Sequence, residues 1–93
     1  MRGEIDHEQS LAYIIDDDAQ VRDGIRNLLR SVDIATEAFG SAKDFLHSKR
    51  PDVPGCLILD VRLPGMSGLE FQTELGKLGV DLPVVFITAH ADV

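Results

Sequence analysis

The chain predicts an α/β domain, a parallel sheet with helices on both faces. Two observations carry that prediction. Short, nearly unbroken apolar runs (Leu11 to Ile15, Cys56 to Leu59, Pro83 to Ile87) alternate with segments whose apolar residues recur at helical spacing. Each run ends in an acid or a hydroxyl: Asp16-Asp17-Asp18, Asp60 and Thr88. Unbroken apolar runs suit strands covered on both faces. Strand ends of a parallel sheet converge on one edge, so these distant residues are expected to share a pocket.

Taken in order, Met1 to Ser10 is polar and acidic and reads as a flexible leader, leaving 11–93 as the folded domain. Leu11 to Ile15 is the first strand. Val21, Ile25, Leu28, Leu29 and Val32 then mark a helix, with Arg22, Asp23, Arg26 and Arg30 on its other faces. Asp17 or Asp18 is its expected N-cap. Gly24 inside that helix costs about 1 kcal/mol against alanine, which suggests close packing there. Ile34 to Phe39 is a weaker strand, with Thr36 and Glu37 pointing to a sheet edge. Ser41 and Asp44 resemble a capping box for a short helix bearing Phe45 and Leu46.

Pro51 to Gly55 is a turn-rich loop, and Cys56 to Asp60 is the second buried strand. A tight loop, Leu63 to Gly68, follows it. Ser67 and Glu70 cap the next helix, whose inner face is expected to hold Leu69, Phe71, Leu75 and Leu78. Gly79 stops that helix, and Pro83 to Thr88 is the last strand. The order β-α-β-α-β-α-β implies right-handed crossovers.

Composition narrows the function. A formal charge of −7, with nine scattered Lys and Arg, argues against direct nucleic-acid binding. No run is long enough for a membrane span. Cys56 is the single cysteine, so no internal disulfide forms and a reducing, cytoplasmic setting fits. Cys56 reads as a small core residue, and Tyr13 and the phenylalanines as core rather than as a stacking platform. His7 and His47 lack ligand spacing, and His90 reads as a solvated loop residue.

The acids carry the chemistry. Asp16, Asp17 and Asp18 have a structural reading, one N-cap plus acids favoured by the helix dipole. Three in a row after a buried strand equally suit a metal cluster, because crowded carboxylates repel unless a cation sits among them. Oxygen ligands of this kind fit Mg²⁺ or a related divalent ion. A lone acid at a strand end, such as Asp60, is often a loop residue bonded to nearby amides. Its functional reading is a nucleophile that becomes an aspartyl phosphate.

Three segments together carry a family resemblance: Ile14-Ile15-Asp16-Asp17-Asp18, Asp60 with Leu63-Pro64-Gly65 downstream, and Ile87-Thr88-Ala89. They resemble the receiver domain of a bacterial two-component response regulator, and the run Thr88 to Val93 resembles the FixJ-like branch. The resemblance spans about Leu11 to Val93 and implies a flavodoxin-like, receiver-type sheet. It implies that Asp60 accepts phosphate from a sensor histidine kinase. Asp17 would ligate Mg²⁺ (or Mn²⁺) directly and Asp16 through water, with the Arg62 backbone carbonyl as a further ligand. Thr88 would bond the phosphoryl oxygen, and the small Ala89 would keep phosphate accessible. Asp18 has no firm family role.

The family also has a lysine at the end of a fifth strand, which Lys43, Lys49 and Lys77 do not match. The resemblance therefore implies a truncated receiver, without the last strand and last two helices, and without the DNA-binding output domain. On that expectation the last strand exposes an apolar edge suited to homodimer formation. Two other readings compete. One is a receiver-like interaction module that takes up no phosphate. The other is a haloacid-dehalogenase-like phosphatase using Asp16 and Asp18, which Gln20 and the missing downstream acid and lysine motifs oppose.

Overall fold

The computed structural model describes residues 10–50, 53–60 and 65–87. Seven elements follow one another: β1 (Leu11–Ile15), α1 (Ala19–Arg30), β2 (Ala35–Phe39), α2 (Ala42–His47), β3 (Gly55–Asp60), α3 (Gly68–Lys77) and β4 (Val84–Ile87). The strands form one parallel sheet in the order β2-β1-β3-β4. The chain therefore leaves β1 toward one edge and returns past it to β3 and β4. With right-handed crossovers, that reversal puts α1 on one face and α2 and α3 on the other. It also opens a crevice where β1 and β3 end side by side.

Residues paired in register share a face, so Tyr13 and Ile15 align with Leu57 and Leu59 on the α2/α3 side. They form the core with Ala42, Phe45, Phe71 and Leu75. Phe45 is its hub, with ring centroids 5.3 Å from Tyr13, 5.4 Å from Phe39 and 5.9 Å from Phe71. These edge-on contacts add to the area term of burying large rings. Arg50 closes α2 from outside, its guanidinium 4.5 Å above the Phe45 ring and Nη1 2.7 Å from the Phe45 carbonyl.

The opposite face is thinner. Ala12 and Ile14 are buried on it, yet no residue of α1 is buried. Val21, Ile25 and Leu29 are half-buried, while Leu28 is 66% exposed and Val32 lies past the helix end, also exposed. Among the described residues α1 touches β2 and β1 most, and the face beneath β3 and β4 keeps Cys56 and Ile58 only half-buried.

The caps explain the helix limits. Asp18 is the N-cap of α1, accepting from the Gln20 amide at 2.9 Å. Ser67 and Glu70 form a reciprocal capping box on α3, at 3.1 and 2.9 Å. Gly79 takes φ 71°, and Val80 N–H bonds the Leu75 carbonyl at 3.0 Å, a Schellman-type stop that glycine makes without a Cβ clash.

Several expectations change. Gly24 has open space where a Cβ would stand, so no close packing selects it. Leu69 is 74% exposed, because it lies about 200° around the helix from Phe71, on the outer face. Leu78 is the C-cap and projects past the end of the core. Phe86 is not core but exposed, its ring against Gly68, where a Cβ would come within 2.7 Å. Cys56 is half-buried rather than enclosed, and β2 starts at Ala35, leaving Ile34 exposed.

Candidate metal and phosphoryl site

Asp16, Asp17 and Asp60 come together at the ends of β1 and β3, each with a carboxylate oxygen within 4.8 Å of the other two. Adjacent parallel strands make this contact unavoidable: Ile15 pairs with Leu59, so each acid follows the same register step. Asp16 is 0% and Asp60 1% exposed, whereas Asp17 faces solvent. Two buried carboxylates and a third that is exposed thus form an acidic cup of closely spaced oxygens.

Backbone geometry gives the three consecutive acids different tasks. Asp16 N–H donates to the Phe39 carbonyl at 3.2 Å, tying the β1 exit to β2. The Asp16 Oδ1 accepts the Asp18 amide at 2.9 Å, while its buried Oδ2 has no hydrogen-bond partner among the described residues. Asp18 turns away and caps α1. Of the two N-cap candidates, the structure selects Asp18 and leaves Asp17 for the cup.

The electrostatics are unfavourable as they stand. Burial pushes the Asp16 carboxyl above its ordinary value, and Asp60 and Asp17 push it further, with the Asp18 amide opposing. Buried carboxylates gathered this closely fit a hard divalent cation, which would relieve both the desolvation and the repulsion. The donor set therefore suits such an ion.

Arg62, Thr88 and Ala89 lie outside the described residues, as do His7 and His90. Ile87 pairs with Asp60, so β4 delivers the chain to the same edge just before Thr88. Lys43 and Lys77 sit on α2 and α3, and Lys49 follows α2, as the sequence implies. The sequence puts Arg22 only on a polar helix face, yet its Nη1 donates to the Asp16 carbonyl at 2.7 Å. One signal pointed to this: a cation early in a helix opposes the helix dipole, so it needs another partner.

Residues 12–93 match the response regulator receiver domain family. The chain belongs to that family. It is 48% identical over 85 residues to Nodulation protein W of Bradyrhizobium diazoefficiens, covering 91% of this chain and 37% of that protein. It is 42% identical over 81 residues to the transcriptional regulatory protein FixJ of Azorhizobium caulinodans, covering 87% of this chain and 38% of that one.

Among solved structures, the response regulator StyR superposes with a TM-score of 0.80 at 48% identity, over 91% of this chain and 43% of StyR. FixJ-N gives 0.75 at 38% identity, over 90% of this chain and 67% of that domain. The receiver fold expected from the sequence is thus the fold observed, and this chain spans about two thirds of FixJ-N. No helix among the described residues is long and apolar enough to cross a membrane.

Proposed function

We propose that this receiver accepts a phosphoryl group on Asp60 from a sensor histidine kinase, with Mg²⁺ or Mn²⁺ held by Asp16, Asp17 and Asp60. The observation that carries the reading is the carboxylate cup, with oxygens within 4.8 Å and two of its three acids buried. Asp60 attacks phosphorus in line: a carboxylate O–P bond forms as the P–N bond of a phosphohistidine, or the P–O bond of acetyl phosphate, breaks. The electron pair leaves with the departing group. The bound cation neutralises the gathered carboxylates and the phosphoryl oxygens.

Asp16, fixed through its backbone and Oδ1, offers Oδ2 toward that cation, directly or through water. The exposed Asp17 is the ligand reached first from solvent. Arg62 supplies a backbone carbonyl, Thr88 a hydroxyl for the new phosphoryl oxygen, and Ala89 an unobstructed approach. A phosphoryl group brings about −2 charge, which draws the Thr88 hydroxyl inward and shifts its loop. The matched relatives include transcriptional regulatory proteins of which this chain spans under half, so the signal passes to a DNA-binding output domain. The chain's own charge of −7 leaves DNA contact to that domain. A cytoplasmic site of action follows from the same reading.

Acetyl phosphate with Mg²⁺, or beryllofluoride as a mimic, tests the assignment by mass spectrometry and NMR. Asp60→Asn abolishes uptake and Asp18→Asn only weakens it. Uptake that survives the Asp60 change rejects the proposal, and repeated turnover of phosphomonoesters favours a phosphatase. Homodimer formation through β4 belongs to the same reading, since Val85 and Phe86 are exposed there. Light scattering that finds only monomer across a concentration series removes it.

A further inference from the structure

The three-acid turn faces a mechanical problem. Asp16, Asp17 and Asp18 are consecutive like charges, and Asp60 adds a fourth beside them. Repulsion among them favours opening the turn before any cation arrives. Something must hold it shut without occupying the carboxylate oxygens that a cation needs.

Arg22 meets both conditions. It is the fourth residue of α1, and its Nη1 reaches back across the turn to the Asp16 carbonyl at 2.7 Å, a charge-assisted length. The donor thus goes to backbone, not to a carboxylate. Gly40, just past β2, lies beside it: a Cβ there would stand in ordinary contact, 3.4 Å from Nη1 and 4.0 Å from the guanidinium carbon. Phe39, the neighbour of Gly40, accepts the Asp16 amide at 3.2 Å. Asp16 is therefore held at its N–H by β2, at its carbonyl by Arg22 and at Oδ1 by Asp18.

We propose that Arg22 is a positioning residue for the acidic cup, clamping the Asp16 carbonyl so that Asp16 and Asp17 present their carboxylates to Asp60 before a cation binds. The part that concerns the cation rests on the function proposed above. The clamp itself is a property of the metal-free protein and is tested separately.

Two consequences of removing Arg22 have opposite sign. Losing a positive charge near the cup strengthens cation binding through simple electrostatics. Losing the clamp weakens it, because binding must then order the turn as well. Partners that orient metal ligands from behind typically change affinity by about 10–100-fold, whereas a charge partly open to solvent is strongly screened. Positioning dominates, and binding weakens.

The test compares the natural protein with Arg22→Met and Arg22→Lys. Methionine keeps an apolar stem without a donor, and lysine restores a charged donor with poorer reach. Amide exchange by NMR in metal-free protein is the first readout. In Arg22→Met the Asp18 amide, which bonds Asp16 Oδ1, exchanges at least about tenfold faster, while core amides such as Leu57 and Ile58 hold. Mg²⁺ titration is the second, and affinity falls about tenfold in Arg22→Met with partial recovery in Arg22→Lys.

Unchanged Asp18 exchange overturns the clamp. So does a rise in exchange shared equally by the core amides, which assigns Arg22 to general stability. Tighter Mg²⁺ binding in Arg22→Met overturns it in favour of plain charge repulsion. If the natural protein binds no Mg²⁺, the function proposed above fails, and the exchange measurement alone decides the clamp.

Discussion

The two faces of the sheet are built differently: α2 and α3 pack on one, while among the described residues α1 alone packs on the other, against β2 and β1. On the α2/α3 side, Phe45, Phe71, Leu57 and Leu59 are wholly enclosed and interlock with Tyr13 and Ile15. On the α1 side the strands bury Ala12 and Ile14, but every residue of the helix is half-buried or exposed. One face holds the fold together, and the other carries a helix whose N-terminus leads directly from the acidic turn. Stability and the acidic site can then be altered almost independently. The largest effect expected from this contrast is Phe45→Ala, which removes the hub of four rings and costs about 3–5 kcal/mol in urea unfolding. Ile25→Ala on α1 costs about 1 kcal/mol, scaled from half-burial of an aliphatic side chain. Equal losses from the two substitutions would break the contrast.

The site end gives the next largest effect. A ligand that binds only the folded state at one hundred times its dissociation constant adds about 2.7 kcal/mol. Mg²⁺ should therefore raise the melting temperature of the natural protein and leave Asp60→Asn much less affected. Phe45→Ala should keep the full Mg²⁺ increment, because the ring lies in the core and is no part of the cup. Loss of the increment in Phe45→Ala would mean that core and site do not separate.

Much of this arrangement was legible in the residues. Leu11 to Ile15 and Cys56 to Asp60 announced buried strands, and parallel strands that pair side by side leave little freedom in where their ends meet. Ser67 with Glu70, and Gly79, marked the α3 limits to within a residue. Within the acidic run the family resemblance set Asp18 apart from Asp16 and Asp17, but residue chemistry alone left the N-cap open between Asp17 and Asp18. Asp16, Asp17 and Asp18 are chemically the same, and only the turn between β1 and α1 makes one buried, one exposed and one a cap. Leu69 misled because an apolar residue near a helix start can point outward when its phase differs from Phe71. The shallow seating of α1 was invisible as well, since burial of Leu28 depends on what lies across the sheet rather than on helical spacing.

A smaller effect concerns pH. The Asp16 carboxyl is raised above its ordinary value by burial first, then by Asp60 and Asp17. The folded protein therefore holds that proton more tightly than the unfolded chain does. Its stabilising contribution is full below the unfolded value and is lost as pH rises through the folded one. Metal-free protein should lose stability from this group between acid and neutral pH. Asp16→Asn keeps an acceptor for the Asp18 amide and removes the charge, so it should flatten that slope and add about 1 kcal/mol at neutral pH. Melting curves across pH check this, and parallel profiles for the two proteins would assign the slope to another group.

The smallest effect is the sharpest check on the α1 face. Leu28 is 66% exposed on a helix that has no fully buried side chain. Truncating it removes little contact area, so Leu28→Ala should change unfolding free energy by no more than about 0.5 kcal/mol. Alanine also has the better helix propensity, though only slightly, so even the sign is set by a near balance of small terms. The α3 residue Leu69, 74% exposed, should behave the same way under Leu69→Ala. If Leu28→Ala is instead as damaging as Ile25→Ala, the outer side of α1 is packed in solution. The two faces would then differ less than their burial indicates, and the α1 side would share in holding the domain together.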